Sequence, residues 1–416
     1  MSERSAIVIG GGLIGCCSAY YLAKLGWRVR LLERQRIGAG ASHGNCGFVC
    51  PSHVMPLAAP GAVTATLRTM LGRDSPIALR LPPSRSLVAW LTRFAGQCNE
   101  GAMARSAAGR HALLAASAPL YRQMLEEERI DCQWQDDGLL VVYSSPQKFE
   151  AFGPMAALLA EKYGVESAPY PGDNVKVLEP ALRAGLAGGW HFRGDSHVRP
   201  DRLLAGLKGA LARLEVDVSE GVAVQQMVVA GGRLQRLETS QGPLTADACV
   251  LATGAEAPAF ARPLGCRMPI QPGKGYSLTM PTPAGAPRLP MIFEEHHVAV
   301  TPFRDGLRIG STMEFAGYDR GINQKRLALL LKSAREHLAA PPPDQFDEVW
   351  SGWRPMVYDG LPCIDRAPRA ANVVVAAGNG MIGLASAPAT GKLAAEIVAG
   401  LAPHVPAAPY RLARFA

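Results

Sequence analysis

The sequence predicts an α/β fold, in which an α+β domain built on an antiparallel sheet is inserted into a Rossmann-type domain with a parallel sheet. Three observations support this prediction. The chain opens with a strand, a glycine-rich turn, a helix and a second strand within about 30 residues, the size of one βαβ unit. It closes with a further strand, glycine-rich turn and helix. Between these ends lie alternating segments that are typical of antiparallel strands.

Length and composition fit two domains. The chain has 416 residues, of which 48% are hydrophobic and 19% charged, as expected of a globular protein with a large core. We expect residues 1–62, 190–262 and 350–416 to form the Rossmann-type domain, and residues 63–189 and 263–349 to form the substrate domain. The net charge is +8. Because no zinc-finger spacing and no basic run interleaved with aromatic residues is present, we expect no nucleic-acid partner.

The first elements are the clearest. Residues 6–9 form a short apolar run that ends at glycine, which is typical of a buried parallel strand. Residues 13–25 have helical spacing and stop at Gly26, and residues 29–33 return to a strand pattern. Further along, the pattern predicts mainly helical segments in 63–128 with a break at 81–83, a strand at 139–143, helices at 146–163 and within 197–214, strands at 222–229, 234–239 and 247–251, antiparallel strands at 275–280, 298–302 and 307–313, a helix at 324–338, a strand at 372–376 and a helix at 391–399.

Cysteine usage and hydropathy indicate the compartment. An odd number of cysteines, nine, argues against a disulfide framework and for a reducing environment. Cys46 and Cys50 have metal-like spacing, but no second pair matches it, so we expect no metal site. Residues 6–23 and 370–391 are uncharged, yet glycines interrupt both. We therefore predict neither a transmembrane segment nor an export signal, and a cytoplasmic protein.

The strongest motif is G-x-G-x-x-G at residues 10–15, directly after a strand and at the start of a helix. Gly10 permits the tight turn, and Gly12 lets a pyrophosphate approach the backbone. Gly15 lets the helix pack closely on the strand, and the helix N-terminus offers free N–H groups to an anion. The residues expected to hold a dinucleotide here are Gly10, Gly12, Leu13, Ile14 and Gly15.

Glu33 ends the second strand, where its carboxylate can accept hydrogen bonds from both ribose hydroxyls. A carboxylate there disfavours the 2′-phosphate of NADP. The motif and Glu33 leave FAD and NAD open. A loop of small residues follows and can lie along a long cofactor, although an ordinary flexible loop is the alternative. Its expected cofactor residues are Arg34, Ala41, Ser42, Asn45, Cys46 and Gly47.

The sequence resembles the D-amino-acid oxidase and dehydrogenase family of flavoproteins, which includes glycine oxidase and sarcosine oxidase. The resemblance spans nearly the whole chain. It is carried by IVIGGGLIG, LLER, GAGASHGNCGFVCPS, HVRPDRL, GVAVQQM, CVLATGAEA, GWRPMVYDGLPCID and NVVVAAGNGMIGLASAPATG. Within the family, the segment KGYSL at 274–278 and the arginine-rich region after Pro60 look most like the bacterial D-amino-acid dehydrogenases.

The resemblance implies an FAD-binding domain with noncovalent FAD. Family members with covalent FAD use a cysteine just before the final strand and turn, where this chain has Trp-Arg-Pro-Met at 353–356. Val224 is expected at the adenine, residues 252–254 at the pyrophosphate and residues 378–384 at the pyrimidine end of the flavin. These cofactor residues are Val224, Ala252, Thr253, Gly254, Gly378, Asn379, Gly380, Met381, Ile382, Gly383 and Leu384.

The resemblance also implies a substrate site. Arg354 is expected to bind the carboxylate of an amino acid in a bidentate salt bridge. Tyr276 either binds that carboxylate as a second ligand or caps the pocket, or is a sheet tyrosine, and His53 either lines the pocket or is structural. Hydride transfer from Cα to flavin N5 leaves an imine that water hydrolyses to a keto acid, so no general base is nominated.

The leading interpretation is an FAD-dependent D-amino-acid dehydrogenase, for a substrate that includes cyclic candidates such as D-proline or a hydroxyproline, with electrons passed to quinone or another acceptor. An oxidase of the glycine or sarcosine oxidase type, which uses oxygen, stays open. So do a flavin-holding subunit that is inactive alone and an NAD-dependent dehydrogenase.

A basic amphipathic region follows the flavin loop. Only Asp74 opposes its arginines, and apolar residues lie between them. One interpretation is peripheral contact with the inner face of the cell membrane, which suits delivery of electrons to quinone. The other is a solvated helical surface over the substrate domain. The arginines are Arg68, Arg73, Arg80, Arg85 and Arg93.

Overall fold

The structure is a computed structural model that describes residues 4–70 and 75–416. Its strands are β1 Ser5–Ile9, β2 Arg28–Glu33, β3 Phe48–Val49, β4 Ile77–Leu79, β5 Leu139–Tyr143, β6 Ala168–Pro171, β7 Gly188–Phe192, β8 Ser196–His197, β9 Asp217–Glu220, β10 Val224–Ala230, β11 Arg233–Thr239, β12 Gly242–Leu244, β13 Ala248–Leu251, β14 Ile270–Met280, β15 Met291–Phe293, β16 Val298–Phe303, β17 Gly306–Phe315, β18 Glu348–Val357, β19 Cys363–Ala367 and β20 Ala370–Ala377.

The described residues form eleven α-helices, which are spread along the chain. They are α1 Leu13–Lys24, α2 Ala62–Met70, α3 Arg85–Gln97, α4 Glu100–Glu127, α5 Pro146–Ala151, α6 Gly153–Tyr163, α7 Val175–Leu178, α8 Pro200–Arg213, α9 Ala261–Leu264, α10 Gln324–His337 and α11 Ala387–Ala399. The single helix predicted at 146–163 is therefore two helices. Pro154 lies in the first turn of α6, where a missing N–H costs nothing, so a new helix begins there.

A six-stranded sheet confirms the predicted Rossmann-type domain. Its order is β19-β20-β13-β1-β2-β9, and β1 pairs in parallel with both β2 and β13. Only β19 runs antiparallel, against β20. Helices α1, α8 and α11 pack on it over one apolar core. Three distant segments of chain therefore build one sheet, as the sequence predicts.

A nine-stranded sheet forms the base of the second domain. Its order is β18-β14-β17-β16-β15-β5-β7-β6, with β4 added to β17, and most of its pairs are antiparallel. This sheet confirms the predicted fold class of the second domain, an α+β domain built on an antiparallel sheet. Two predicted boundaries, at residues 190 and 350, fall inside β7 and β18 of this sheet. Because ladder partners fold together, we propose that 188–192 and 348–357 belong to the substrate domain, and the remaining division stays a prediction.

The basic region after the flavin loop is partly accounted for by α3. Leu87 and Trp90 are buried against Met313, Phe315 and Met356, so the inner face of α3 covers the substrate sheet. Its outer face is exposed. Arg73 and Asp74, counted in the sequence prediction, lie outside the described residues.

Two structural findings bear on partners. All nine cysteines are free thiols, and no cluster of metal-binding side chains occurs within residues 4–70 and 75–416. None of the helices in that part of the chain is long and apolar enough to cross a bilayer.

Candidate functional site

A cavity of about 1180 Å³ lies where the two sheets meet. The carboxyl ends of β1, β2, β13 and β20 open into it, which is where ligands bind in open parallel sheets. Its volume exceeds the usual range for small-molecule pockets, roughly 300–1000 Å³. Every residue predicted to bind cofactor or substrate lines this cavity, with the exception of Gly15.

Gly15 serves packing, which is the role that the motif assigns to it. A methyl group on Gly15 would lie 1.8 Å from the carbonyl oxygen of Gly10. Gly10 itself has a φ of +106°, and a methyl group there would lie 2.5 Å from the carbonyl oxygen of Ala252. Both glycines therefore let β1, β13 and the start of α1 approach one another closely.

The N-terminus of α1 is left open for an anion. Its N-cap, Gly12, offers no side chain, and the first turn holds no acidic residue. The Leu13 N–H donates to Ser42 Oγ at 3.0 Å, so the loop predicted to follow the cofactor does reach this turn. The partial positive charge of a helix N-terminus and its free N–H groups suit a pyrophosphate.

The Glu33 carboxylate is fixed by two backbone donors. Its Oε2 accepts from the Gly11 N–H at 2.8 Å and its Oε1 from the Gln35 N–H at 2.9 Å. The side chain is thereby held at the cavity wall beside the glycine turn. Arg34 pairs with Glu256 at 2.7 Å and links two separated segments of the cofactor domain at the cavity rim.

The second glycine-rich turn leaves polar atoms without partners. Asn379 donates from Nδ2 to Ser386 Oγ at 3.1 Å and to Thr390 Oγ1 at 2.9 Å, yet its buried Oδ1 has no partner within the described chain. Thr253 Oγ1 on the same cavity is buried and unpaired as well. Buried polar atoms normally have a partner, so these two fit a bound polar ligand. Together with the open helix end and Glu33, they fit FAD.

Arg354 lies on β18 and lines the other end of the cavity. Its Nη1 donates to the carbonyl oxygen of Thr312 at 2.7 Å. No carboxylate of the described residues lies within 4.0 Å of the guanidinium. Burial lowers the pKa of Arg354, and the nearby Cys46 thiol opposes that shift. A half-buried guanidinium on a cavity wall, without a counter-ion among the described residues, is a site for an anionic ligand.

An irregular segment of β17 provides the acceptor for Arg354. Ser311 and Thr312 have φ values of 97° and 53°, a left-handed conformation that is uncommon outside glycine. The pairing with β14 shifts register at this point, between Lys274 and Tyr276. Such local strain often occurs at functional sites. The sequence gives no signal for this bulge, because neither residue is glycine or asparagine.

Tyr276 lines the cavity, but its hydroxyl is already engaged. The hydroxyl donates to the carboxylate of Glu314, and burial together with that carboxylate raises the pKa of Tyr276. Lys274 completes the group, with Nζ 2.6 Å from Asp319 Oδ2. The Glu314 carboxylate therefore competes for the Tyr276 hydroxyl proton, and the hydrogen bond from Tyr276 to the substrate stays a prediction.

His53 lines the cavity as a neutral ring. Burial, with Arg110 nearby, lowers its pKa to about 4. Arg110 donates to the carbonyl oxygens of His53 at 2.7 Å and Val54 at 2.9 Å, which holds this segment against α4. Arg110 was missed by the sequence analysis, because a lone arginine within a long helix carries no distinguishing pattern.

The hairpin between β15 and β16 was also missed. It brings Glu294 and His297 to the cavity, on the same wall as Ile292 and Ala299. Burial raises the pKa of Glu294, and His297 opposes this shift. Neither residue belongs to a motif, so only the fold brings them to the site.

Comparisons with known proteins agree with this geometry. A family model described as FAD dependent oxidoreductase (DAO) matches residues 5–397. The chain is 34% identical over 424 residues to a D-amino acid dehydrogenase of Methylobacterium radiotolerans, and the match covers 99% of both proteins. It is 33% identical over 404 residues to a D-amino acid dehydrogenase of Paramagnetospirillum magneticum, with 95% of this chain and 94% of the relative covered.

Solved structures share the fold. Glycine oxidase from Geobacillus kaustophilus matches with a TM-score of 0.77 at 22% identity, over 99% of both chains. L-Proline dehydrogenase from P. horikoshii matches with a TM-score of 0.74 at 20% identity, over 99% of this chain and 98% of that one. At these identities the likeness supports the fold alone.

Proposed function

The chain belongs to the DAO family of FAD-dependent oxidoreductases, and from this premise we propose that it oxidises the C–N bond of a D-amino acid as a dehydrogenase. Membership confirms the predicted family, its FAD cofactor and the oxidoreductase class. The D-enantiomer and the dehydrogenase activity are supported by the names of the full-length relatives. The amino-acid part of the proposal is carried by one observation, the half-buried guanidinium of Arg354 on the cavity wall without a carboxylate partner among the described residues.

In the proposed reaction Arg354 binds the substrate carboxylate. Its planar guanidinium offers two parallel N–H donors, which fix the orientation of an amino acid as well as its position. The hydrogen bond from Nη1 to the carbonyl oxygen of Thr312 holds the guanidinium in place. Because the site is partly desolvated, this charge pair is stronger than the same pair in water.

The cofactor end of the cavity is proposed to hold FAD through the glycine turn, Glu33 and the second glycine-rich turn at 378–384. When bound, FAD supplies the two-electron oxidant for the C–N bond. The chain then has to orient the substrate and exclude bulk water. Because its pKa is about 4, His53 is neutral at physiological pH and holds a proton only weakly, so we do not propose it as a base. The oxidised substrate is an imine, which water hydrolyses to a keto acid and ammonia.

We further propose that the electrons pass to quinone or a similar acceptor at an anionic membrane surface. The outer side of α2 and α3, with residues 75–84 before α3, carries apolar and basic side chains together, a combination that binds anionic interfaces. The exposed members are Leu67, Leu81, Val88, Arg68, Arg85 and Arg93. This surface lies on the substrate domain, whose helix α3 packs against Met356 close to Arg354.

Anaerobic reduction of the purified flavoprotein tests the proposal. Amino acids of both configurations, the isomers of proline and hydroxyproline, glycine and sarcosine are added without oxygen, and the flavin absorbance is followed. Bleaching by D-amino acids alone supports the proposal, and bleaching by L-amino acids alone contradicts it. Rapid reoxidation on admission of air would favour an oxidase. A flavin that no amine reduces would favour a subunit that needs a partner.

A further inference from the structure

Glu294 lines the same cavity as Arg354. Its side chain is 33% exposed although burial raises its pKa, a combination that arises where a group faces an internal cavity. Its charged neighbours are His297, whose Nδ1 lies 3.7 Å away and whose side chain is 55% exposed, and, without an ion pair, Lys148 and Glu295. At that separation the carboxylate has room for a closer donor.

Glu294 and Arg354 project from the same face of the nine-stranded sheet. Pairing runs across the sheet from Ile292 to Ala299, then to Gly310, to Ser277 and to Trp350. Side chains alternate between the faces of a strand. Glu294 is two residues from Ile292, and Arg354 is four residues from Trp350. Because both spacings are even, the side chains of Glu294 and Arg354 lie on the same face of the sheet as those of Ile292 and Trp350. All four of these residues line the cavity.

The two charges are separated by about the length of a basic amino acid. The Arg354 guanidinium reaches across β14 to the Thr312 carbonyl on β17. Glu294 continues β15, because its N–H still donates to Val142 on β5 at 3.0 Å. Strand β15 is two strands from β17 in the sheet, a span of about 10 Å. An extended lysine or arginine that lies across β16 can therefore place its carboxylate at Arg354 and its cationic end at Glu294.

We propose that Glu294 is a specificity residue that binds the cationic end of a basic amino-acid side chain, while Arg354 binds its carboxylate. The inference rests on the proposed function, because it assigns the second end of the same substrate. Such a cavity discriminates against substrates whose side chain has no positive charge. When such a substrate binds, it covers the Glu294 carboxylate without giving it a hydrogen-bond partner, which costs free energy of binding.

Binding of two unreactive ligands tests this inference without depending on turnover. 6-Aminohexanoate carries a carboxylate and an ammonium at the spacing found in lysine but no α-amino group to oxidise, and hexanoate lacks the ammonium. Their dissociation constants for the holoenzyme are measured by calorimetry. We expect 6-aminohexanoate to bind at least roughly tenfold more tightly than hexanoate, and Glu294→Gln to abolish that difference. Equal binding in the wild type, a difference that persists in Glu294→Gln, or no binding of either ligand would overturn the inference.

Turnover distinguishes failure of the inference from failure of the proposed function. The ratio of kcat/KM for D-lysine to that for D-norleucine, a neutral analogue of similar length, is expected to fall roughly tenfold to a hundredfold in Glu294→Gln. Glu238→Gln serves as the control, because Glu238 lies on β11, outside the cavity, and pairs with Arg236. If D-norleucine reduces the flavin but D-lysine is no better in the wild type, the inference fails and the proposed function stands. If neither reduces the flavin but another D-amino acid does, the inference fails and the proposed function stands, and if no D-amino acid reduces it, the proposed function fails.

Discussion

The guanidinium of Arg354 lies directly over Gly275 on the neighbouring strand. A methyl group on Gly275 would lie 2.3 Å from Nη1 and 2.4 Å from Cζ of Arg354. Gly275 has no positive φ, so its backbone would accept alanine. The absence of a side chain at position 275 is therefore needed for the position of Arg354 and not for the conformation of β14.

Gly275→Ala is expected to displace the guanidinium from its place above β14. Misplacement of a binding group by about 1 Å can cost roughly a hundredfold in rate, so we expect kcat/KM for the amino acid to fall about tenfold to a hundredfold. FAD content should be unchanged, because Gly275 lies away from the glycine turns. Gly153→Ala, on α6 with no atom within 4 Å of the added methyl group, is the control. Wild-type kcat/KM in Gly275→Ala would contradict the proposed role of Arg354.

Arg354→Ala removes the predicted salt bridge to the substrate carboxylate. Loss of one partner of a desolvated charge pair costs about 2–5 kcal/mol, so kcat/KM should fall by at least roughly thirtyfold. Arg354→Lys should recover only part of this, because an ammonium lacks the two parallel donors of a guanidinium. The flavin spectrum and the midpoint of thermal unfolding check that the fold and the cofactor are kept. Equal kcat/KM in the lysine variant and the wild type would argue against bidentate binding.

The Rossmann-type elements were predictable because their signals are local. The apolar run of β1, the glycines at 10–15 and the helical spacing of α1 each fix one element, and the structure has all three. Strand β18 was not predictable in the same way. It contains Gly352 and Pro355 and lacks a clear alternation, and it forms only because β14 pairs with it along its whole length. Pairing with a strand far along the chain produces no recognisable pattern in the local sequence of such a segment.

The residues of the candidate site also differ in how far the local sequence predicts them. The sequence motif explains Gly10, Gly12 and Glu33 on physical grounds, whereas Arg354 was named only because of a family resemblance. Glu294 was missed, since a carboxylate in a hairpin has the same local pattern whether it faces solvent or a cavity. For Tyr276 the sequence left a substrate ligand and a sheet tyrosine open, and its contact with Glu314 competes with the first of these roles. Which way a side chain faces depends on sheet register, and register is set by partners far along the chain.

Glu33→Gln tests the cofactor end of the cavity. The amide can still accept a hydrogen bond from the Gly11 N–H, but it loses the charge and one acceptor for the ribose hydroxyls. Hydrogen bonds to charged groups contribute about 1.5–3 kcal/mol, so we expect the Kd for FAD to rise at least roughly tenfold. The measurement is titration of the apoprotein with FAD, followed by quenching of flavin fluorescence. Glu238→Gln is again the control, and an unchanged Kd would remove Glu33 from the proposed binding site.

The buried ring of His53 makes stability depend on pH in acid. Its pKa is about 4 in the folded protein, against 6.5 when it is free, so the unfolded chain takes up a proton first as pH falls. The stability that neutral His53 contributes is complete above pH 6.5 and is lost as pH falls towards 4, by at most about 3 kcal/mol. Urea unfolding of the holoenzyme between pH 4.5 and 7.5 should show a smaller loss in His53→Gln. His297→Gln, at an exposed position, should behave like the wild type, and a parallel loss in all three proteins would contradict the assignment.

The outer surface of α2 and α3 is expected to bind anionic vesicles. Val88 and Leu81 are 47% and 79% exposed beside arginines, so Val88→Asp and Leu81→Asp remove apolar contact and weaken the attraction to negative lipid. We expect cosedimentation with phosphatidylglycerol vesicles but not with phosphatidylcholine, and a fall as salt is raised. Val177→Asp is the matched control, because Val177 is 84% exposed on α7. If Val177→Asp weakens binding as much as Val88→Asp, the attraction is a property of net charge alone. Helix α3 would then serve only to cover the substrate sheet, and the acceptor would have to reach the flavin by another route.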